Sequence, residues 1–127
     1  MATILVIEDD GERQHILQAV LLCQGHEIIV SADPGTAWVK MMAASGRPDL
    51  IICSSPQRGL AAFLQRKHGE KGYGRIPVIF LLKNEKFNQE ETEREPKHNY
   101  WFYLAIPFNV QHLICQVDEI LAKAACR

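Results

Sequence analysis

The chain has 127 residues, 47% of them hydrophobic and 23% charged, which suits one compact core and is too short for two. A formal net charge of −1 gives no general pull toward nucleic acid or anionic lipid, and no apolar run approaches membrane-spanning length. Met1-Ala2-Thr3 lacks the basic start and apolar stretch of an export signal, so a cytoplasmic globular protein is expected.

The four cysteines, Cys23, Cys53, Cys115 and Cys126, are widely spaced and form no C-x-x-C pair. Free thiols in a reducing compartment are expected, not a disulfide framework or zinc site. The five histidines are equally scattered, so metal binding by His and Cys is not expected.

Ile4-Leu5-Val6-Ile7 is short, apolar and rich in Ile and Val, and reads as a strand buried on both faces. It ends abruptly in Glu8-Asp9-Asp10. Adjacent carboxylates repel one another and resist desolvation, so they suit a strand end that opens into water or onto a cation. Capping of the next helix would explain one acid; three in a row favour a cation site, functional or ancestral.

Residues 11–24 place Ile16, Leu17, Val20 and Leu21 on one helical face, with Asp10 as N-cap and Gly25 as the stop. Residues 26–31 read as a second buried strand. Asp33-Pro34 opens a helix with an apolar stripe of Ala37, Trp38, Met41 and Met42, ended by Gly46-Arg47-Pro48. Residues 49–54 (DLIICS) form a third strand, and Leu60, Phe63 and Leu64 mark a short helix reaching about His68. Residues 69–75 (GEKGYGR) look like a mobile loop. Their glycines precede a strand, not a helix, which is the wrong geometry for cradling phosphate.

Residues 76–82 give a fourth buried strand. Residues 83–99 are strongly polar, with Phe87 as the one large apolar side chain, so any helix there is short and poorly anchored. Residues 100–105 (YWFYLA) form an aromatic fifth strand. Asn109 then caps a last helix striped by Val110, Leu113, Ile114, Val117, Ile120, Leu121 and Ala124. Strands alternating with helices over short connections predict an α/β fold, a parallel sheet with helices on both faces. With no repeat or linker, one domain spanning residues 1–127 is expected.

Five stretches, ILVIEDD, QGHEIIVSADPGTAW, RPDLIICS, IPVIFLL and YLAIPF, resemble in order and spacing the receiver domain of two-component response regulators. The resemblance covers essentially the whole chain. It implies a flavodoxin-like (CheY-like) five-stranded sheet of order 2-1-3-4-5. In that family a histidine kinase passes a phosphoryl group to an aspartate ending the third strand. A magnesium ion is held by that aspartate and the acids after the first strand. A Ser or Thr ending the fourth strand and a Lys before a proline near the fifth bind the phosphoryl group, and an aromatic residue on the fifth strand reports the change.

Carried over by position, Glu8 and Asp9 match the acid pair, and Tyr103 matches the reporter aromatic. The acceptor position falls on Ser54, and a slip of one residue gives Cys53, still no acid. The hydroxyl position falls on Leu82 and the lysine position on Ile106. The Ile106-Pro107 bond corresponds to the family's cis Lys-Pro bond and is expected to be cis, with Pro107 as the cis proline. A serine would form an ordinary phosphate ester and is a weak ligand. Without the acceptor acid, Glu8, Asp9 and the Pro56 carbonyl make a poor cage for an ion that wants six oxygens. Leu82 fills the space into which the reporter would turn, and Ile106 removes the clamping charge.

The resemblance thus implies a pseudo-receiver. It would be no enzyme, carry no catalytic residue and need no cofactor, with at most weak Mg2+ binding at Glu8 and Asp9. It would serve as a phosphorylation-independent protein-interaction module with a protein partner in bacterial signalling, without direct nucleic-acid or membrane contact. Its interaction face would be that of the family's fourth helix, fifth strand and fifth helix. Here that face takes in residues 85–98, Tyr103 and Trp101, and is also the surface for a homodimer. Adjacent strand residues face opposite ways, so Phe102 is assigned to the core and Trp101 to the face.

Three alternatives compete. One is a receiver that still binds Mg2+ and is switched by another modification. A second is a small-molecule or redox sensor, with Cys53 lining the former pocket, against which a buried inert thiol is the simpler expectation. A flavin enzyme ranks last, because three acids after the first strand would repel the cofactor phosphate. A charge contrast also stands out: Arg58, Arg66, Lys67, Lys71 and Arg75 lie within residues 57–76, and Glu85, Glu90, Glu91, Glu93 and Glu95 within 85–95. Two solvated faces explain it most simply; a two-signed docking surface or head-to-tail association is the sharper reading.

Overall fold

The computed structural model describes residues 2–83 and 100–125. Its elements run β1 (Thr3–Ile7), α1 (Gly11–Cys23), β2 (Glu27–Ser31), α2 (Pro34–Ala43), β3 (Leu50–Ser55), α3 (Leu60–Gly69), β4 (Val78–Lys83), β5 (Trp101–Ile106) and α4 (Val110–Ala125). The five strands form one parallel sheet of order β2-β1-β3-β4-β5, the expected topology. Here α4 is the last helix, which the resemblance counts as the family's fifth.

The period-two alternation of the strands divides the core into two layers. Ile4, Val6, Leu50, Ile52, Ile79 and Leu81 face α1 and α4, where Leu17, Leu21, Leu113 and Val117 meet them. Leu5, Ile7, Ile51, Cys53, Val78 and Phe80 face α2 and α3, against Ala37, Trp38, Met41 and Phe63. Phe102 joins the first layer and Trp101 the second, as their adjacency requires. Trp101 packs edge-on against Phe80, with ring centroids 5.0 Å apart, so it belongs to the margin of the core as well as to a face.

The helix starts follow from single side chains. Asp10 accepts from the Glu12 N–H at 3.1 Å, Asp33 from the Thr36 N–H at 2.7 Å, and Asn109 from the Gln111 N–H at 2.8 Å. Gly25, at φ +85°, turns the chain out of α1 in a conformation that favours glycine. The Ile106-Pro107 bond is cis as expected; Ser55-Pro56 is also cis, which the sequence did not announce.

Other expectations need correction. β2 is an edge strand, so Ile28, Ile29 and Val30 are half-buried and not enclosed. Ile16, Met42, Val110 and Ala124, placed on apolar stripes, are exposed. The 69–75 loop is held at two points: Arg47 donates to the Gly72 carbonyl at 2.8 Å, and Lys67 to the Gly74 carbonyl at 3.1 Å. Lys67 is therefore no part of a basic face; it is buried, and burial lowers its ammonium pKa to about 8. Cys23, Cys53 and Cys115 are free thiols. The acidic run at 85–95, the polar part of the expected interaction face and Cys126 lie outside the described residues. Among the described residues, no helix is long and apolar enough to cross a membrane.

Candidate functional site

The ends of β1, β3, β4 and β5 bring the singled-out residues to one edge of the sheet. β1 continues its pairing one residue past its end, because the Glu8 N–H donates to the Ser31 carbonyl at 2.9 Å. This holds Glu8 inside the protein, at 0% exposure. Its Oε1 accepts from Arg13 Nη1 and from the Asp10 N–H, each at 3.0 Å, while Oε2 has no hydrogen-bond partner. Burial raises the Glu8 pKa above the ordinary carboxylate value. The Asp10 amide and Arg13 pull it back, and the adjacent Asp9 carboxyl pushes it further up.

Asp9 itself is exposed, and its Oδ1 lies 3.5 Å from Ser54 Oγ, a long contact. Ser54 is buried and held by Gln57, whose side-chain N–H2 reaches three oxygens at 2.9 Å: Ile7 O, Ser54 O and Ser54 Oγ. One amide thus clasps the ends of β1 and β3. The described structure sets Asp9 against Ser54, as the resemblance implies, and adds Arg13 on Glu8 and Gln57 on Ser54.

The β4–β5 side is apolar. Leu82 is half-buried beside its register partner Ala105. Tyr103 stacks on Phe80 with centroids 5.4 Å apart, and its carbonyl accepts from Gln116 at 3.4 Å. Ile106 is 5% exposed and packs in the α1/α4 layer. Its register partner is Lys83, so β4 places a cation beside the expected lysine position. A cleft of about 570 Å3 opens here, with Asp10, Arg13 and Ile16 on one wall and Lys83, Ile106 and Phe108 on another. Cys53 sits in the other layer, buried, with its thiol pKa pushed up by burial, an environment that disfavours the thiolate.

Arg13, Gln57 and Lys83 were not singled out from sequence. Arg13 had a faint signal, as it stands three residues after Asp10 on the same helical face. Gln57 had none, since its contacts depend on how the loop after β3 folds back.

These residues suit Mg2+ poorly. One Glu8 oxygen is committed to Arg13, Ser54 offers a hydroxyl, and the nearby Gln57 nitrogen donates where a ligand must accept. Among the described residues, no three His, Cys, Asp or Glu side chains gather as a metal site.

No family model matches the chain, and no curated protein does. Solved structures do. A Chloroflexus aurantiacus protein provisionally described as a response regulator is 26% identical, with a TM-score of 0.80 over 95% of this chain and 98% of its own. The chemotaxis response regulator CheY4 of Vibrio cholerae is 21% identical, with a TM-score of 0.82 over 94% and 98%. The receiver domain of a Pseudomonas aeruginosa sensor histidine kinase, solved with a magnesium ion coordinated in its active-site cleft, is 22% identical, with a TM-score of 0.78 over 95% and 98%. The chain has the CheY-like fold of response-regulator receiver domains.

Proposed function

We propose that the protein is a pseudo-receiver of bacterial signalling, a non-enzymatic interaction module that works without phosphoryl transfer. The observation that carries this reading is the end of β3: a buried serine, clasped by Gln57, faces Asp9 where receiver chemistry calls for a carboxylate. An aspartate would give a reactive acyl phosphate and a hard oxygen ligand; a serine hydroxyl gives neither. Leu82 and Ile106 supply packing where that chemistry would need a hydroxyl and an ammonium. Partner recognition then falls to a face fixed in one form, with Tyr103 held on Phe80 and Trp101 beside it. The partner on this reading is a protein of the same cytoplasmic signalling pathway, or a second copy of the chain.

Beryllofluoride with Mg2+ tests it, because this pair mimics a phosphorylated aspartate. Amide NMR of the whole chain should show no change at Glu8, Asp9 or Ser54. A Mg2+-dependent change centred on those three residues would overturn the reading. The burial of Cys53 favours this reading over a redox sensor.

A further inference from the structure

Arg13 is the residue that the resemblance does not explain. Glu8 is sealed from solvent, and a sealed carboxylate is costly to charge without a counter-ion. In this chain the counter-ion is covalently attached. Arg13 Nη1 lies 3.0 Å from Glu8 Oε1, and Nη2 lies 3.5 Å from Asp10 Oδ2. One guanidinium therefore spans the first and third acids of the run. From the β3 side the Gln57 N–H2 group closes on Ser54 and the β1 end. Both groups present protons, and protons do not coordinate a metal.

We infer that Arg13 is a tethered counter-ion that stands in for a diffusible divalent cation, neutralising the acid site from within the chain and closing it to metal. The inference rests on the pseudo-receiver reading of the same site and adds the device that makes the site self-sufficient. A guanidinium stays charged at any physiological pH and has no free concentration to vary. The acid loop is thereby held in one arrangement, whatever the ionic conditions. The unpartnered Glu8 Oε2 and the exposed Asp9 carboxylate are the oxygens that would turn to an ion if Arg13 were absent.

The test compares the full wild-type chain with Arg13→Met, Arg13→Lys and the double variant E8Q/R13M, using Mn2+ as a paramagnetic probe of oxygen-rich sites. In the wild type, amide broadening at residues 8–10 and 54 should be no greater than at the exposed acids Asp118 and Glu119 of α4. Arg13→Met should broaden selectively at residues 8–10 and 54, with an affinity ~10-fold or more above wild type. Its thermal midpoint should also rise with MgCl2 and not with NaCl of equal ionic strength. Arg13→Lys keeps a cation in place and should stay silent, and E8Q/R13M should lose the gained response.

A wild type that takes up Mn2+ as tightly as Arg13→Met overturns the inference. So does an Arg13→Met protein that folds and stays silent. Should Arg13→Met fail to fold alone, recovery on refolding in MgCl2 supports the inference and failure to recover overturns it. The two readings fail separately. A wild-type response to beryllofluoride removes the pseudo-receiver reading. Silence of the wild type to beryllofluoride together with silence of Arg13→Met to Mn2+ removes only this one.

Discussion

The two halves of the sheet edge solve one problem by opposite means. Around β1 and β3 the polar groups stay and are tied to one another: Glu8 to Arg13, and Ser54 to Gln57. Around β4 and β5 the matching positions are apolar: Leu82 and Ile106 lie in or at the margin of the core, and Lys83 beside them is exposed. On the proposed pseudo-receiver reading, a polar pocket without a ligand carries a desolvation cost, which either internal pairing or apolar replacement can remove. This chain uses both.

The largest expected effect breaks the polar half. Arg13→Met leaves Glu8 buried and unpaired, and should cost about 3–5 kcal/mol in urea unfolding at neutral pH. E8Q/R13M should return most of it, because the loss comes from the stranded charge and not from Arg13 packing. Next comes the apolar half: Ile106→Ala should cost about 3 kcal/mol by the same assay, as expected for truncating a buried isoleucine. If it cost nothing, Ile106 would not be core and the contrast would collapse.

Gln57→Ala should cost less, about 1–2 kcal/mol, by freeing the Ile7 and Ser54 oxygens to find water at a loop edge. Amide exchange should then quicken at the ends of β1 and β3 and leave β4 and β5 unchanged. A separate effect lies far from the site and serves as its control. Burial lowers the Lys67 pKa from 10.5 in the unfolded chain to about 8 in the folded one. Between these values the unfolded chain binds more protons, so stability should rise with pH across that window. Denaturation of Lys67→Met over the same pH range should show no such rise.

Most of the fold was legible because its signals are local. Asp10, Asp33 and Asn109 cap helices through N–H groups two or three residues away, and the buried runs of β1 and β3 need no knowledge of their partners. The errors came where position in the fold decides. Nothing in Ile28-Ile29-Val30 says that β2 lies at an edge, and nothing in Lys67 says that its ammonium turns inward to Gly74. The acids stood out at the end of a buried run, and Ser54 followed from the family resemblance carried over by position. Arg13 and Gln57 were not found, because their partners are set by how the loops after β1 and β3 fold back over the strand ends.

The division of the core into two layers also decides what can be seen by eye of a fluorimeter. The chain has two tryptophans, and both Trp38 and Trp101 lie in the α2/α3 layer. Intrinsic emission therefore follows one side of the sheet and is silent on the side where α1 and α4 pack, whereas far-ultraviolet dichroism sums the helices of both. Superimposable curves from the two signals would mean that the layers melt as a unit. An emission change that lagged behind the dichroism would mark the α1/α4 layer, the one that carries Arg13, as the first to come away.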